Sequence, residues 1–125
     1  MSGVPAFTDH PALLVLCACP DAVAAGIARA LVGEGLAACV NRAPVASVYR
    51  WQGRLCEETE QLLVIKTTPA RYAALEMRLK TLHPYEVPEI IAIPVVAGSE
   101  AYLAWLGAVT APAHDPSNPL SVQPK

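Results

Sequence analysis

The chain has 125 residues, which is the length of one domain and is long enough to bury a single core without disulfides or a structural metal. Hydrophobic residues make up 54% of it and charged residues 16%, so part of the apolar surface is expected to lie between subunits. The net charge of −2 and the lack of a basic cluster argue against nucleic-acid binding, and the longest apolar run, residues 12–19, is too short to span a membrane.

Residues 1–10 are interpreted as a flexible leader. No export signal is expected, because no lysine or arginine precedes the apolar segment that ends at Cys19 and this segment is too short. The expected location is therefore the reducing cytoplasm, where cysteines stay thiols. The cysteines are Cys17, Cys19, Cys39 and Cys56. The folded domain is expected over residues 11–110, since the four prolines of residues 111–125 predict a disordered tail.

The first two predicted elements are a strand and a helix. Residues 13–17 are apolar at every position, which indicates a strand buried on both faces. Pro20 and Asp21 end this strand and begin the helix, and Gly33 and Gly35 mark the helix end. Within the helix, apolar residues recur at helical spacing, at Val23, Ile27, Ala30 and Leu31.

A long hairpin is predicted next. Residues 36–51 favour a second strand, interrupted at Pro44, which marks either a bulge or an edge because proline cannot donate to a strand ladder. Gln52 and Gly53 predict a tight turn, and the return strand ends with the apolar residues 62–65. Both arms exceed the usual strand length. We therefore expect the hairpin tip to project beyond the domain and to reach a neighbouring molecule.

The remaining elements are a helix, a strand and a final helix. Thr68 and Pro69 begin the helix, which His83 and Pro84 end. Its expected features are an apolar face formed by Tyr72, Leu75, Leu79 and Leu82, and an ion pair between Glu76 and Lys80. A strand over residues 90–93 follows, with Val95 and Val96 beyond Pro94, and Ser99 is expected to cap the final helix.

This order of elements predicts an α+β fold, the ferredoxin-like split βαβ arrangement. Its antiparallel sheet is expected to carry helices on one face only. Three of the strands are nevertheless apolar on both faces, and no segment of the chain remains to cover the second face. Copies of the same chain are the simplest cover, so the sequence predicts an oligomer.

Several segments match the motifs of a known family. These segments are residues 36–41, 47–53, 66–68, 83–90 and 102–106. Together they resemble the divalent-cation tolerance (CutA) family, in register over about residues 12–108. The resemblance implies a homotrimer of ferredoxin-like subunits, similar in form to the PII signalling proteins. It also implies a role in tolerance of divalent metal ions, without enzymatic activity and without an organic cofactor.

The resemblance further implies a copper site. The family's bacterial prototype is expected to use a cysteine of the first strand and two adjacent histidines. Cys17 matches the cysteine and His83 the second histidine, whereas Leu82 replaces the first. The end of the first strand is expected to lie beside the start of the fourth, which brings Cys17 and His83 together and makes Cys19 a further candidate ligand. The alternative is that both cysteines are core residues and that His83 caps a helix C-terminus.

A second set of residues is predicted to line a cleft between subunits. Tyr49 and Trp51 share a strand face, and Lys66 and Glu89 close flanking apolar strands, where a charge needs a partner or water. The full set is Cys39, Asn41, Tyr49, Trp51, Lys66, Tyr85 and Glu89. It predicts either a regulatory module of PII type that binds a small anionic or aromatic ligand, or a packing surface between subunits.

A third hypothesis is a thiol-dependent enzyme. Cys17 and Cys19 precede a helix N-terminus, a position that lowers the pKa of a thiol. The chain contains no CxxC motif, nucleophile elbow or phosphate-binding loop, however. We therefore expect a binding protein and not an enzyme.

Overall fold

A computed structural model of the protein describes residues 9–112, so that residues 1–8 of the predicted leader and residues 113–125 of the predicted tail lie outside the described residues. The described part forms seven elements, in the predicted order. They are β1 (Ala12–Cys19), α1 (Asp21–Gly33), β2 (Cys39–Trp51), β3 (Arg54–Thr67), α2 (Pro69–Leu82), β4 (Ile91–Val95) and α3 (Glu100–Val109).

The four strands form one sheet in the order β2-β3-β1-β4, with every neighbouring pair antiparallel. The central strand β1 pairs with β3 on one side and with β4 on the other. Leu16, for example, lies opposite Val64 and opposite Ile91. The predicted α+β class and antiparallel sheet are confirmed, and the start of β4 lies beside the end of β1 as expected.

The main core lies between one face of the sheet and the helices α1 and α2. The strands contribute alternate residues, because successive side chains of a strand point to opposite faces. The fully buried members from β1 and β3 are Val15, Cys17, Cys19, Leu63 and Ile65. The helices cover them with Ala24, Ile27 and Leu31 of α1 and with Leu75 and Leu79 of α2, which confirms the predicted apolar faces.

The predicted interruption of the second strand at Pro44 is wrong. β2 is continuous, and Pro44 keeps its place in the ladder opposite Gln61. The strand lies at the edge of the sheet, where a missing N–H can face away from the neighbouring strand without breaking a bond. The edge alternative is therefore the correct one.

The turn at the tip of the hairpin is confirmed. Gln52 and Gly53 have φ angles of 52° and 78°, the left-handed conformation that a two-residue hairpin turn requires. They join strands of 13 and 14 residues. Near the tip, Val48 and Leu55 lie on the helix side of the sheet but beyond the helices, and both are exposed.

The helix boundaries follow the predicted signals. Thr68 precedes α2 with Pro69 in its first turn, and Ser99 precedes α3, where its hydroxyl accepts a hydrogen bond from the backbone N–H of Tyr102. The predicted pair of Glu76 and Lys80 is present at 2.9 Å. No helix of residues 9–112 has the length and apolar character needed to cross a membrane.

The expectation of helices on one face only is wrong in part. The second face of the sheet, which we define as the face turned away from α1 and α2, is covered at one end by α3. Trp105 and Leu106 of α3 pack there against Ala12, Cys39 and Val95. The rest of this face stays open in the single chain, and Ile91 and Ile93 are 51% and 45% exposed.

Candidate functional site

A cleft of about 790 Å³ lies between the far half of the hairpin and the loop that joins α2 to β4. Its walls are residues 47–51 of β2, Glu60 of β3, Ala18 of β1 and residues 85–89 of the loop. The volume is in the range of small-molecule sites. The cleft is therefore large enough to hold a small-molecule ligand.

Two tyrosines in the walls of the cleft donate hydrogen bonds to carboxylates. Tyr49 donates a hydrogen bond from its hydroxyl to Glu58 at 2.7 Å. Tyr85 donates to Glu60 at 2.7 Å, and its hydroxyl also lies 3.4 Å from the other oxygen of the Glu58 carboxylate. The loop and both arms of the hairpin thus meet in one hydrogen-bonded network.

Both phenols are held in the protonated form. The hydrogen bond to Glu58 raises the pKa of Tyr49 to about 12. Burial, followed by the hydrogen bond to Glu60, raises the pKa of Tyr85 well above its ordinary value. At neutral pH the tyrosines are therefore donors, and the carboxylates accept from them.

The hairpin register brings the carboxylates to this cleft. Glu58 lies opposite Ser47 and Glu60 opposite Val45, so both share the second face with Tyr49. Glu60 sits where the hairpin meets the body of the sheet, and it is only 4% exposed. Burial of a carboxylate costs free energy, whereas an apolar residue could pack at this position without that cost. Glu60 therefore marks this end of the cleft as a polar site.

His83 connects the loop between α2 and β4 to the sheet through hydrogen bonds. Its backbone ends α2, and its ring is buried. The Nδ1 atom accepts a hydrogen bond from the backbone N–H of Tyr85 at 3.1 Å, so Nε2 carries the proton and donates to the carbonyl of Ala18 at 2.8 Å. The predicted meeting of His83 with the end of β1 is present, but both ring nitrogens are occupied by the backbone.

Cys17 and Cys19 lie on the helix side of β1, inside the main core. Burial raises the pKa of the Cys17 thiol to about 12, and the charges of Cys19, Glu89 and Glu60 add to the effect. Burial and the charge of Glu60 also raise the pKa of Cys19. This shift is opposite to the one that a reactive thiol needs, so the reason for a thiol-dependent enzyme is removed.

The residues of one chain do not fit a ready copper site. Copper binds thiolate and free imidazole nitrogen, whereas Cys17 is held as a thiol and His83 uses both nitrogens elsewhere. Within residues 9–112, no three His, Cys, Asp or Glu side chains are grouped so as to hold a metal ion. Copper binding by Cys17, Cys19 and His83 stays a prediction, without support from this geometry.

We expect Cys17 and Cys19 to resist alkylation in the folded protein. Both are buried, and thiolate is the reactive form, so iodoacetamide at pH 8 should label them only after denaturation. Peptide mapping by mass spectrometry measures the label at each cysteine. Cys56, which is only half-buried, serves as the internal comparison, and labelling of Cys17 at the rate of Cys56 would contradict the burial.

Three residues of the predicted cleft set lie elsewhere. Lys66 donates to the side-chain oxygen of Asn41, and its ammonium group is 3.8 Å from the sulfur of Cys39. Cys39 in turn packs against α3. This cluster occupies the covered end of the second face, so the lysine that motivated an anionic ligand is not among the residues that line the cleft.

The other four predicted residues, Tyr49, Trp51, Tyr85 and Glu89, do line the cleft. Glu58 and Glu60 also belong to the site, although they were not among the predicted site residues. A signal for them was present. A two-residue turn at Gln52 and Gly53 fixes the strand register and thereby places both glutamates on the face of Tyr49.

Comparison with known proteins gives a consistent result. The family model for the CutA1 divalent ion tolerance protein matches residues 13–109. The divalent-cation tolerance protein CutA of Thermus thermophilus is 53% identical over 87 residues, 69% of this chain and 84% of the relative. The CutA homolog of Xenopus laevis is 50% identical over 91 residues, 71% of this chain, which span 60% of that relative.

Solved structures agree. The PII-like protein CutA from Nostoc sp. PCC 7120 superposes with a TM-score of 0.76 at 37% identity, over 78% of this chain and 96% of its own. The family match leaves residues 1–12 and 110–125 outside it.

Proposed function

We propose, from the premise that the chain belongs to the CutA1 divalent ion tolerance family, that it serves this tolerance as a homotrimeric regulatory binding protein and not as an enzyme. Its working site is the cleft between β2 and residues 85–89. The observation that carries the proposal is the network of Tyr49, Tyr85, Glu58 and Glu60, which builds a polar, ligand-sized site beside an open apolar surface.

The open part of the second face supports the homotrimer. Leu16 and Val64 are half-buried there, and Ile91 and Ile93 are about half exposed. A contiguous apolar surface on a small soluble protein usually marks an interface. The strand order supports a ferredoxin-like subunit, and the projecting hairpin supplies an arm that can reach a second copy.

The contrast between the cleft and the buried thiols supports a binding role for the cleft. Tyr49, Trp51 and Glu89 are accessible from the cleft, whereas Cys17 and Cys19 are enclosed in the core as protonated thiols. The free state of the cysteines supports a reducing compartment such as the cytoplasm. The description of the Nostoc protein as PII-like supports a regulatory binding role of the same kind here.

Growth under copper stress tests the proposal. In a bacterial strain whose own family member is deleted, the wild-type chain should restore growth in graded Cu²⁺. We expect Cys17→Ala to restore it equally, because alanine keeps an apolar side chain in the core. Glu60→Gln should fail, because it removes the one buried charge of the cleft while keeping the shape of the side chain.

Immunoblots and solution masses of the variants provide the controls, since equal amounts of equally assembled protein are required for the comparison. Loss of tolerance in Cys17→Ala alone, with Glu60→Gln fully active, would assign the function to the thiol and not to the cleft.

A further inference from the structure

The carboxylate of Glu60 is buried without a compensating cation. Its Oε2 atom accepts the hydrogen bond of Tyr85, whereas among residues 9–112 no hydrogen bond reaches Oε1, which keeps contact with solvent. The ion pairs of the same residues are Glu34 with Arg78 and Glu76 with Lys80, and neither pair includes a residue that lines the cleft. A charge that is only 4% exposed and paired with a neutral phenol carries a desolvation cost that a cation would offset.

The surroundings of Glu60 add negative charge. Glu86 and Glu89 also line the cleft, and Glu58 joins it through the two tyrosines. Arg50 is the one basic residue among the lining residues, and it forms no ion pair with any of them. A concave site with this balance concentrates cations and repels anions.

Aromatic side chains form much of the remaining wall. Tyr49, Trp51 and Tyr85 line the same cleft as Glu60. The faces of such rings attract organic cations. Carboxylates and aromatic rings together therefore select a positive charge that is attached to an apolar body.

The same features argue against a bare metal ion. Within the described part of the chain, the acidic side chains do not come together in a group of three that could share an ion. The cleft of about 790 Å³ also exceeds what a single ion would fill. A molecule of moderate size, which reaches the separated carboxylates at different points, matches the site better.

We propose that the cleft binds a small organic cation, an amine or guanidinium compound whose charged group is held by Glu60 and whose apolar part lies against Trp51 and Tyr49. The proposal rests on the proposed function, since it names the ligand class of the same cleft. It replaces the expected anionic ligand, because Lys66 lies at the other end of the second face.

Three probes of one shape test the charge preference on the full chain. They are benzylammonium, benzyl alcohol and benzoate, titrated by isothermal calorimetry at neutral pH. We expect benzylammonium to bind at least about tenfold more tightly than benzyl alcohol, and benzoate not to bind.

The variants locate the site. Glu60→Gln keeps an acceptor for Tyr85 but removes the charge, and it should weaken benzylammonium about tenfold without affecting benzyl alcohol. Trp51→Leu changes an exposed wall residue and should weaken it several-fold, which covers the case that Glu60→Gln does not fold. Glu57→Gln, on the opposite face of β3, is the matched control and should bind as the wild type does.

Equal affinity for benzylammonium and benzyl alcohol, no saturable binding of benzylammonium at millimolar concentration, or unchanged binding by both cleft variants would each overturn the proposal. These failures are separate from failure of the proposed function. If Glu60→Gln abolishes copper tolerance while benzylammonium does not bind, the cleft is functional and only the ligand class is wrong.

Discussion

Replacement of Ile91 and Ile93 by glutamate is expected to convert the proposed trimer into monomers. Both side chains lie on the open part of the second face, beside Leu14 and Leu16. Burying an isoleucine contributes about 1.5–3 kcal/mol, whereas a carboxylate buried without a partner costs several kcal/mol. Every subunit of the proposed trimer carries both substitutions, so the loss is repeated at each interface.

Light scattering coupled to gel filtration measures the outcome. The wild type should have about three times the 13.2 kDa mass of one chain, and the double variant the mass of one. Met77→Glu is the matched control, because Met77 is also an exposed apolar residue but belongs to α2, on the other side of the sheet. A double variant that keeps the wild-type mass would show that the second face is not the interface.

The strands and helices could be predicted because their signals are local. Alternation or continuity of apolar residues identified the strands, and Pro69, Ser99 and Gly53 set boundaries through their own backbone chemistry. The failure at Pro44 has a physical cause, since the same residue is disruptive in a central strand and tolerated at an edge. Its position in the sheet depends on residues far away in the chain.

The role of α3 could not be read from the sequence. Trp105 and Leu106 show that this helix buries one side, but the pattern does not say against what. Packing on Ala12 and Val95 includes a contact between residues far apart in the chain, and it reduces the apolar surface left for a partner. The predicted open apolar surface on the second face is therefore present, but it is smaller than predicted because α3 covers one end.

In the candidate site, too, local features could be predicted from the sequence, whereas contacts between distant segments could not. The faces of Tyr49, Glu58 and Glu60 follow from the turn and the strand period, and so were available from the sequence. The contact between Tyr85 and Glu60 was not, because it joins a loop to a strand 25 positions away. His83 was placed correctly beside β1, yet its partners are backbone atoms, which no pattern of side chains reveals.

The second large effect is expected from His83→Ala. The substitution removes the partner of the half-buried Tyr85 N–H, and it leaves the buried carbonyl of Ala18 with only the weak contact of the Cys17 thiol at 3.9 Å. Each lost bond costs about 1–3 kcal/mol, so the two together should lower the free energy of unfolding by about 2–6 kcal/mol. The loss should appear in metal-free protein, because it arises from hydrogen bonds within the chain. Urea denaturation in the presence of a chelator measures it.

His83→Gln separates this structural role from metal ligation. The glutamine amide can both donate to the carbonyl of Ala18 and accept from the N–H of Tyr85, but it is a poor ligand for copper. We therefore expect it to recover much of the stability, and with it the hydrogen bond from Tyr85 to Glu60 on which the cleft depends. If His83→Gln is as unstable as His83→Ala without metal, the backbone bonds are not what His83 provides. If the wild type loses stability only when copper is removed, His83 is a metal ligand, and the copper site that Cys17 and His83 first suggested regains its support.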